Sequence, residues 1–334
     1  MIKRLLAGLF GIVFLAATFA AGNVLLSMDW ERTHRAETAE LPVFRSAGPD
    51  GLYQVKANGF VFRARIFGAG NAGPGIVMLH GHPETSIMWE PVAKAAAEEG
   101  YRVIAFDQRG YSPGARPKGV GAYKADNQIA DVMAIADAMG FEEFHLVGHD
   151  WGAVIAWATA ILAPERLISL STMSIPHPQT LKAMVVDDPP AYIRLFSLPW
   201  VPEAMLLFNE LAGYKKWYTE QSDAQIEEYI KVFSEPGAAT ATLNWYRSIQ
   251  DSVSLVAESD ATISLPTLFI YGDQEMWVTP AYLTEQATYM AGPYQTLELK
   301  AGHWLVQKHP DVVTSAVLDH VRDSRNAAPD AAAD

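Results

Sequence analysis

The sequence predicts an α/β protein in which helices flank a mostly parallel sheet. Short apolar segments of strand length alternate with helical segments through most of the chain, as in repeated strand–helix–strand units. Between residues 176 and 255 this alternation stops, and the segment shows helical periods with many Trp, Tyr, Phe and Pro residues. With 334 residues, 50% of them hydrophobic, the chain can form one large domain with an insertion, or two domains. We therefore expect residues 177–255 to form a helical cap.

The predicted core comprises residues 53–176 and 256–323. Residues 53–67 alternate in polarity around Asn58-Gly59, which predicts a two-stranded hairpin. Further strands are predicted at residues 75–79, 102–107, 144–147, 167–173, 267–271 and 296–299, and helices at 93–99, 126–139 and 153–163. Residues 324–334 are expected to form a disordered tail.

The N-terminus has the features of a targeting segment. Lys3 and Arg4 precede an uncharged apolar stretch over residues 5–28, which is typical of a secretory signal peptide and is also long enough to span a bilayer. The cleavage pattern is poor, so we expect residues 1–28 to remain as an apolar helix that contacts the membrane through residues 5–28. The basic flank predicts that the catalytic domain lies outside the cytoplasm, anchored or, after cleavage, periplasmic or secreted. Residues 29–52 are expected to be a linker.

Composition excludes several classes of function. The net charge of −13 argues against nucleic acid as a partner. The absence of cysteine excludes disulfides, thiol catalysis and cysteine-bound metals. The nine histidines show no metal-ligand spacing and no glycine-rich phosphate loop occurs, so we expect no cofactor and no metal.

Residues 146–153, LVGHDWGA, have the pattern of a nucleophile elbow. An apolar strand leads into Gly148-x-Asp150-x-Gly152 and a helix follows, so the chain turns sharply and the Asp150 side chain stands above the sheet. A carboxylate here suits a substrate that alkylates it, such as an epoxide or a carbon–halogen compound, because the product is an ordinary ester. Asp150 is therefore the candidate nucleophile, and water would cleave the ester.

Two later segments supply candidate partners, in the chain order nucleophile, acid, histidine. Residues 272–275, GDQE, follow one predicted strand, and residues 301–304, AGHW, follow the last. Both segments lie at the carboxyl ends of strands, where ligands bind in open α/β sheets. His303 is the candidate general base, and either Asp273 or Glu275 could orient its imidazole.

Together these motifs resemble those of α/β-hydrolases of the epoxide hydrolase family, over about residues 56–322. The matching stretches are HGHPE at 80–84, FDQRGYSPGARP at 106–117, LVGHDWGA at 146–153, LNWYR at 243–247, GDQEMWVTP at 272–280 and AGHW at 301–304. The resemblance implies an α/β-hydrolase fold with a cap, Asp150 as nucleophile and His303 as general base. The family's acid is an aspartate where this chain has Glu275, so Glu275 is the expected acid and Asp273 the second candidate.

The resemblance also implies two cap tyrosines, Tyr246 in the NWYR motif and Tyr192 in the less well-defined stretch 189–203. Opening an epoxide produces an alkoxide, which is a poor leaving group. A phenol with a pKa near ~10 is a neutral hydrogen-bond donor at pH 7. Two such donors facing Asp150 would hold the ring oxygen opposite the attacking carboxylate.

Cleavage of the ester requires an oxyanion hole. When water attacks the Asp150 ester, backbone N–H groups after the nucleophile and after the His-Gly turn are the expected donors. These are the amides of Trp151 and His82. The resemblance to relatives also implies a cis peptide bond before Pro83.

The sequence favours an epoxide hydrolase that acts on a small apolar epoxide and water. The cap is aromatic, which suits such a substrate, and its candidate residues are Trp200, Phe208, Trp217 and Trp245.

Two alternatives stay open. A haloalkane or haloacid dehalogenase would use the same Asp, His and acid; Trp151 matches one halide donor, but His82 replaces the Asn of that family's H-G-N-P turn. The other alternative is a membrane-tethered protein that keeps the fold without turnover.

Overall fold

The computed structural model of the protein describes residues 40–327, and eight strands in this range form one sheet. The strands are β1 (Gly51–Ala57), β2 (Phe60–Phe67), β3 (Gly75–Leu79), β4 (Arg102–Phe106), β5 (Phe144–His149), β6 (Leu167–Met173), β7 (Thr267–Gly272) and β8 (Tyr294–Leu299). Their spatial order is β1-β2-β4-β3-β5-β6-β7-β8. β2 is antiparallel to both neighbours, and the pairs from β4 to β8 are parallel. The predicted α/β fold with a mostly parallel sheet is thus confirmed.

The hairpin of β1 and β2 follows from two residues. Asn58 and Gly59 have φ angles of +46° and +76°, which an Asn-Gly pair adopts readily in a two-residue turn. The Asn58 side-chain amide also donates a hydrogen bond to Oδ1 of Asp131, at 2.8 Å, and so ties the turn to a helix of the core.

Helices cover both faces of the sheet. They are α1 (Glu90–Glu98), α2 (Ala125–Ala138) and α3 (Trp151–Leu162) between the strands. After the cap come α10 (Pro280–Ala287), α11 (Leu305–Lys308) and α12 (Pro310–Ala327). One apolar layer contains Val132 of α2 and Trp157 of α3, and the layer on the other face contains Val92 of α1 and Val317 of α12. β3 and β5 are buried along their whole length between these layers, as expected for central parallel strands.

The cap lies between β6 and β7. Its helices are α4 (Pro178–Lys182), α5 (Ala191–Ser197), α6 (Val201–Lys215), α7 (Asp223–Ser234), α8 (Ala238–Arg247) and α9 (Ile249–Ala257). It has a core of its own that includes the stacked rings of Tyr214 and Phe233, whose centroids are 4.1 Å apart.

A buried ion network joins the cap to the sheet. Glu228 of α7 accepts hydrogen bonds from Arg63 and Arg65 of β2, with 2.8 Å between its Oε2 and Nη2 of Arg63. Nη1 of Arg63 also lies 2.6 Å from Oδ2 of Asp107, which follows β4. Because these groups are largely shielded from water, the network fixes how the cap sits on the core.

Several predicted boundaries shift. The expected linker ends earlier, because the Phe44 amide donates to the Gln54 carbonyl and the Gln54 amide to the Pro42 carbonyl, each at 2.9 Å, and β1 already begins at Gly51. The final helix continues to Ala327, so the expected tail does not begin at 324. The expected N-terminal helix, including the apolar residues 5–28, lies outside the described residues. Across residues 40–327, no helix combines the length and apolar character needed to cross a bilayer.

Candidate active site

Asp150 stands at the sharp turn between β5 and α3. Its φ of +52° and ψ of −120° are strained for a residue with a side chain, and they hold the carboxylate out of the sheet. The turn needs glycine on both sides, because a Cβ at Gly152 would lie 2.1 Å from the Leu79 carbonyl oxygen. A Cβ at Gly148 would lie 2.3 Å from the carbonyl oxygen of Gly152. The elbow predicted from the sequence is therefore present.

His303 lies between two carboxylates. Its Nε2 atom is 3.3 Å from Oδ2 of Asp150, and its Nδ1 atom is 2.7 Å from Oε2 of Glu275. Glu275 is buried, and its other oxygen accepts the Trp277 amide at 3.3 Å. The structure thus brings Asp150, His303 and Glu275 into one hydrogen-bonded row.

Asp273, the second candidate for the acid, has another partner. Its carboxylate lies at the surface and is 2.8 Å from Nζ of Lys300. Asp273 is therefore the weaker of the two candidates to orient His303.

The charges in this row stabilise one another. Burial opposes the ionised form of Asp150, but the hydrogen bond and the charge of His303 outweigh it, so the pKa of Asp150 lies below its ordinary value. Burial likewise opposes the charged form of His303. The charge of Glu275 and the hydrogen bond to Asp150 outweigh that effect, and the pKa of His303 lies well above its ordinary value. Both shifts favour the ion pair of an Asp150 carboxylate and a His303 imidazolium.

One predicted oxyanion donor, the His82 amide, contacts the Asp150 carboxylate. The His82 amide donates to Oδ1 of Asp150 at 2.7 Å, and the peptide bond from His82 to Pro83 is cis, as expected. Trp151 is the first residue of α3, where backbone N–H groups lack partners within the helix. The loop can approach because residue 81 is a glycine, since a Cβ there would lie 2.4 Å from Cβ of Asp150.

The His82 side chain packs among aromatic residues. Its Nδ1 atom lies 2.9 Å from the Tyr111 hydroxyl, and its ring lies 5.3 Å from that of Tyr246, centroid to centroid. Burial lowers the pKa of His82 to about 3, so its ring is neutral.

Tyr192 and Tyr246 project from cap helices α5 and α8 toward Asp150. Their ring centroids are 6.2 Å apart, and both residues line the same cavity as the carboxylate. Burial raises the pKa of both phenols, and the charge of Asp150 raises it further, so both hydroxyls stay protonated at neutral pH. Side-chain hydrogen bonds with Trp277 for Tyr192, and with Trp151 for Tyr246, act in the opposite direction.

The site opens into a cavity of about 480 Å³. Its lining includes Asp150, His303, both tyrosines and a largely apolar rim of Phe196, Trp217, Met276, Trp277 and Trp304. A smaller, largely apolar pocket of about 30 Å³ shares Asp150, Tyr192, Tyr246 and Trp277 with this cavity. Among residues 40–327, no group of three or more His, Asp or Glu side chains is arranged to hold a metal ion.

The aromatic residues expected in the cap do not all face this cavity. Trp217 lines it. Trp245 is buried and donates its indole N–H to the Arg109 carbonyl at 2.8 Å. Trp200 and Phe208 are mostly exposed, and neither lines the cavity. Composition indicated an apolar cap but could not tell which face of a helix each side chain occupies.

Comparison with known proteins decides the family. A family model for the α/β-hydrolase fold matches residues 74–189. The mouse (Mus musculus) protein epoxide hydrolase 4 is 31% identical over 296 residues, covering 83% of this chain and 81% of the relative. The chain belongs to the epoxide hydrolase family of α/β-hydrolases.

Further epoxide hydrolases show the same likeness. Epoxide hydrolase A of Mycobacterium tuberculosis is 30% identical, covering 77% of this chain and 93% of the relative. The crystal structure of epoxide hydrolase A from Mycobacterium thermoresistibile superposes with a TM-score of 0.68 at 27% identity, covering 82% of this chain and 98% of that one.

Two buried residues of this epoxide hydrolase family member, His149 and Glu84, had no predicted role. His149 directly precedes Asp150, and its Nε2 atom lies 2.9 Å from the His303 carbonyl oxygen. Its Nδ1 atom lies 3.1 Å from Oε2 of Glu84, whose other oxygen accepts from Gln307. Glu84 and His149 lie in the motifs HGHPE and LVGHDWGA. Those motifs did not indicate that the two residues hold the backbone of His303.

Proposed function

We propose that this protein hydrolyses an apolar epoxide to a vicinal diol through an ester on Asp150. The observation that carries the proposal is the placement of one carboxylate between His303, on the core side, and two protonated phenols, on the cap side. This arrangement offers a nucleophile, a base and acids to a single small molecule. The apolar cavity favours an epoxide with hydrocarbon substituents.

In the first half-reaction an oxygen of Asp150 attacks an epoxide carbon, and the bond from that carbon to the ring oxygen breaks. The ring oxygen takes a proton from Tyr246 or Tyr192. An indole N–H can only donate, so the phenol oxygens accept from Trp151 and Trp277 and keep their own O–H groups for the substrate. The product is an alkyl ester of Asp150 with a neighbouring hydroxyl group.

Formation of the ester changes the charge beside His303. The imidazolium was stabilised in part by the Asp150 carboxylate, which is now neutral. His303 therefore gives up its proton more easily. That proton passes through solvent to the tyrosine that protonated the ring oxygen, and the phenol is restored. A neutral imidazole held by Glu275 is left, which is the form that a general base needs.

In the second half-reaction His303 takes a proton from water as the water oxygen attacks the ester carbon. The oxyanion that forms lies at the His82 and Trp151 amides. Collapse of this intermediate breaks the ester bond, and the leaving diol oxygen takes the proton from His303. One water has been added, and Asp150 is left as a carboxylic acid. Its proton passes to the neighbouring His303, which restores both the carboxylate and the imidazolium.

A dehalogenase is the second candidate, because Trp151 and Trp277 both border the pocket beside Asp150 and two indole N–H groups can hold a halide. The interaction of those indoles with Tyr246 and Tyr192 favours the epoxide. Incubation with matched epoxides and haloalkanes, with diol and halide measured separately, distinguishes the two. Diol without halide supports our proposal, halide without diol supports the alternative, and neither product indicates a protein without turnover.

We further propose that residues 1–28 anchor the chain in a membrane with the catalytic domain outside the cytoplasm. The basic Lys3 and Arg4 followed by the apolar residues 5–28 support this location. Fractionation of cells that express the full chain tests it. Full-length protein released only by detergent supports an anchor, soluble protein that begins near Ala21 or Asn23 indicates a cleaved signal, and soluble full-length cytosolic protein contradicts both.

A further inference from the structure

An apolar stripe is exposed on the outer side of the cap. Leu198, Trp200, Val201, Met205 and Phe208 are 45%, 63%, 47%, 54% and 69% exposed. The last three recur at helical spacing, so they share one face of α6. Single exposed hydrophobic residues are ordinary, whereas a contiguous group of this kind marks an interaction surface. These five residues are called the cap stripe below.

The backbone conformation at Trp200 is strained. Trp200 precedes α6 with a φ of +64°, a region that bulky residues rarely adopt. The indole nevertheless lies mostly in solvent, so packing inside the protein does not offset that strain. Backbone hydrogen bonds hold this turn, from the Ala204 amide to the Trp200 carbonyl at 3.0 Å and from the Val201 amide to the Pro199 carbonyl at 2.7 Å, and they leave the indole free to contact a partner outside the described chain.

The described part of the chain begins beside the cap, where α7 meets β2. Glu40 and Leu41 line a cleft together with Glu228 and Lys231 of α7, and α7 packs against α6. Residues 29–39 reach at most about 40 Å, because an extended residue adds about 3.5 Å. An anchor that ends at residue 28 would therefore hold the cap close to the bilayer.

Two lysines and a tryptophan near the cap stripe suit a lipid surface. The segment around the stripe, residues 187–220, is acidic overall, with three basic and five acidic residues, so attraction to lipid head groups is confined to the lysines at the end of α6. Lys215 and Lys216, at the end of α6, are exposed and can reach phosphate head groups. Tryptophan is enriched at membrane–water interfaces, and Trp200 lies within the stripe.

We propose that the cap stripe docks on the bilayer that holds residues 5–28, so that an epoxide dissolved in the lipid enters the active site directly. Phe196, two residues before Leu198, and Trp217, just after α6, both line the active-site cavity, and their ring centroids are 5.7 Å apart. Leu198, at one end of the stripe, is thus two residues from the lining of the cavity. The source of substrate rests on the proposed function, whereas docking itself needs only the anchor and the stripe.

The chain lacks cysteine, so one introduced thiol can be labelled specifically. Full-length Met205→Cys and, as a control, Val312→Cys are labelled with an environment-sensitive fluorophore and reconstituted into phosphatidylcholine vesicles that carry nitroxide lipids. Val312 is an equally exposed apolar position, at 46%, but it lies on α12, which packs on the sheet away from the cap. We expect the label at 205 to lose most of its emission and the label at 312 to keep it.

Other results overturn the proposal. Protein that floats with the vesicles while the label at 205 escapes quenching shows that the anchor exists and the stripe does not dock. The label at 205 could instead report an apolar environment in vesicles and in detergent alike, without being quenched by the nitroxide lipids. That result shows that residues 5–28 or a second copy cover the stripe. Protein that neither floats nor is quenched contradicts docking and anchor together. The labelled double variant Met205→Cys, Asp150→Asn, which lacks the nucleophile, should be quenched as fully as Met205→Cys alone, so a failure of the proposed chemistry is seen separately.

A kinetic measurement tests the consequence for substrate. In the double variant Met205→Ser, Phe208→Ser, we expect KM for an epoxide supplied in vesicles to rise on the order of tenfold, because two apolar side chains no longer enter the lipid. The KM for a water-soluble epoxide should not change, since neither residue lines the cavity. An equal rise for both substrates, or none for either, contradicts direct entry from the bilayer.

Discussion

Nδ1 of His303 lies 2.7 Å from Oε2 of Glu275, whereas Asp273, two residues earlier in the chain, pairs with Lys300. We expect Glu275→Gln to lower kcat on the order of 10²–10⁴-fold, because the imidazole loses the carboxylate that orients and charges it. Asp273→Asn should stay within about threefold of wild type, because a surface ion pair contributes little. Steady-state kinetics on one epoxide checks the ranking, and the reverse order would transfer the role to Asp273.

His303→Gln separates the two half-reactions. The carboxylate of Asp150 remains able to attack, but no base activates water, so the alkyl-enzyme ester should accumulate. Mass spectrometry of the intact protein after incubation with an epoxide should show the added mass of one substrate. His309→Gln, at a half-buried histidine outside the cavity lining, is the matched control and should turn over normally. A fully active, unmodified His303→Gln enzyme would exclude His303 as the base.

Tyr246→Phe and Tyr192→Phe should slow formation of the ester and leave its hydrolysis intact. Each variant removes one donor to the ring oxygen, and loss of a donor at a site of developing charge costs on the order of 10²-fold. Rapid-mixing measurements that follow ester formation and decay separately will show which step changes. Tyr282→Phe, on α10 and outside the cavity lining, provides the control. Slower ester decay with normal ester formation would argue against the assigned role.

The stability of the fold should depend on pH through Asp107. Burial opposes its charge, but Arg63 and other neighbouring cations lower its pKa to about 2 in the folded protein, from an ordinary value of 3.8. Ionisation of Asp107 therefore stabilises the folded state fully above pH 3.8, and that contribution is lost as the pH falls toward 2.

Asp107→Asn should reduce the free energy of unfolding by at least ~2 kcal/mol at pH 7, and the difference from wild type should shrink below pH 4. Denaturant titrations at several pH values measure this. Asp188→Asn removes the exposed partner of Arg194 and should change the free energy of unfolding by less than ~0.5 kcal/mol. A difference for Asp107→Asn that stays constant down to pH 2 would mean that its charge is not what stabilises the fold.

The sequence located the row of Asp150, Glu275 and His303 because each residue follows a strand and has a glycine within three positions before it. Such signals are local, and parallel strands bring their carboxyl ends to one edge of the sheet. The choice between Glu275 and Asp273 was not local, because it depends on which carboxylate the backbone turns toward His303. Only the structure shows that Lys300 takes Asp273.

Features that depend on docking of the cap could not be foreseen. Arg63 and Glu228 are 165 residues apart, and no local sequence pattern predicts that they form an ion pair. The outward orientation of Trp200 and Phe208 is a similar case, since an aromatic-rich segment is compatible with either face of its helices. Long-range packing decides both.

The most direct test of the account is a single turnover in ¹⁸O-labelled water with enzyme in excess over epoxide. If Asp150 attacks the epoxide and water then attacks the ester carbon, the diol receives an unlabelled oxygen from the enzyme. The label remains in the carboxylate of Asp150. Mass spectrometry of the peptide that contains residue 150 should therefore show one ¹⁸O, and the diol none. Label found in the diol, with an unlabelled Asp150, would show that water opens the epoxide directly and would contradict covalent catalysis at this residue.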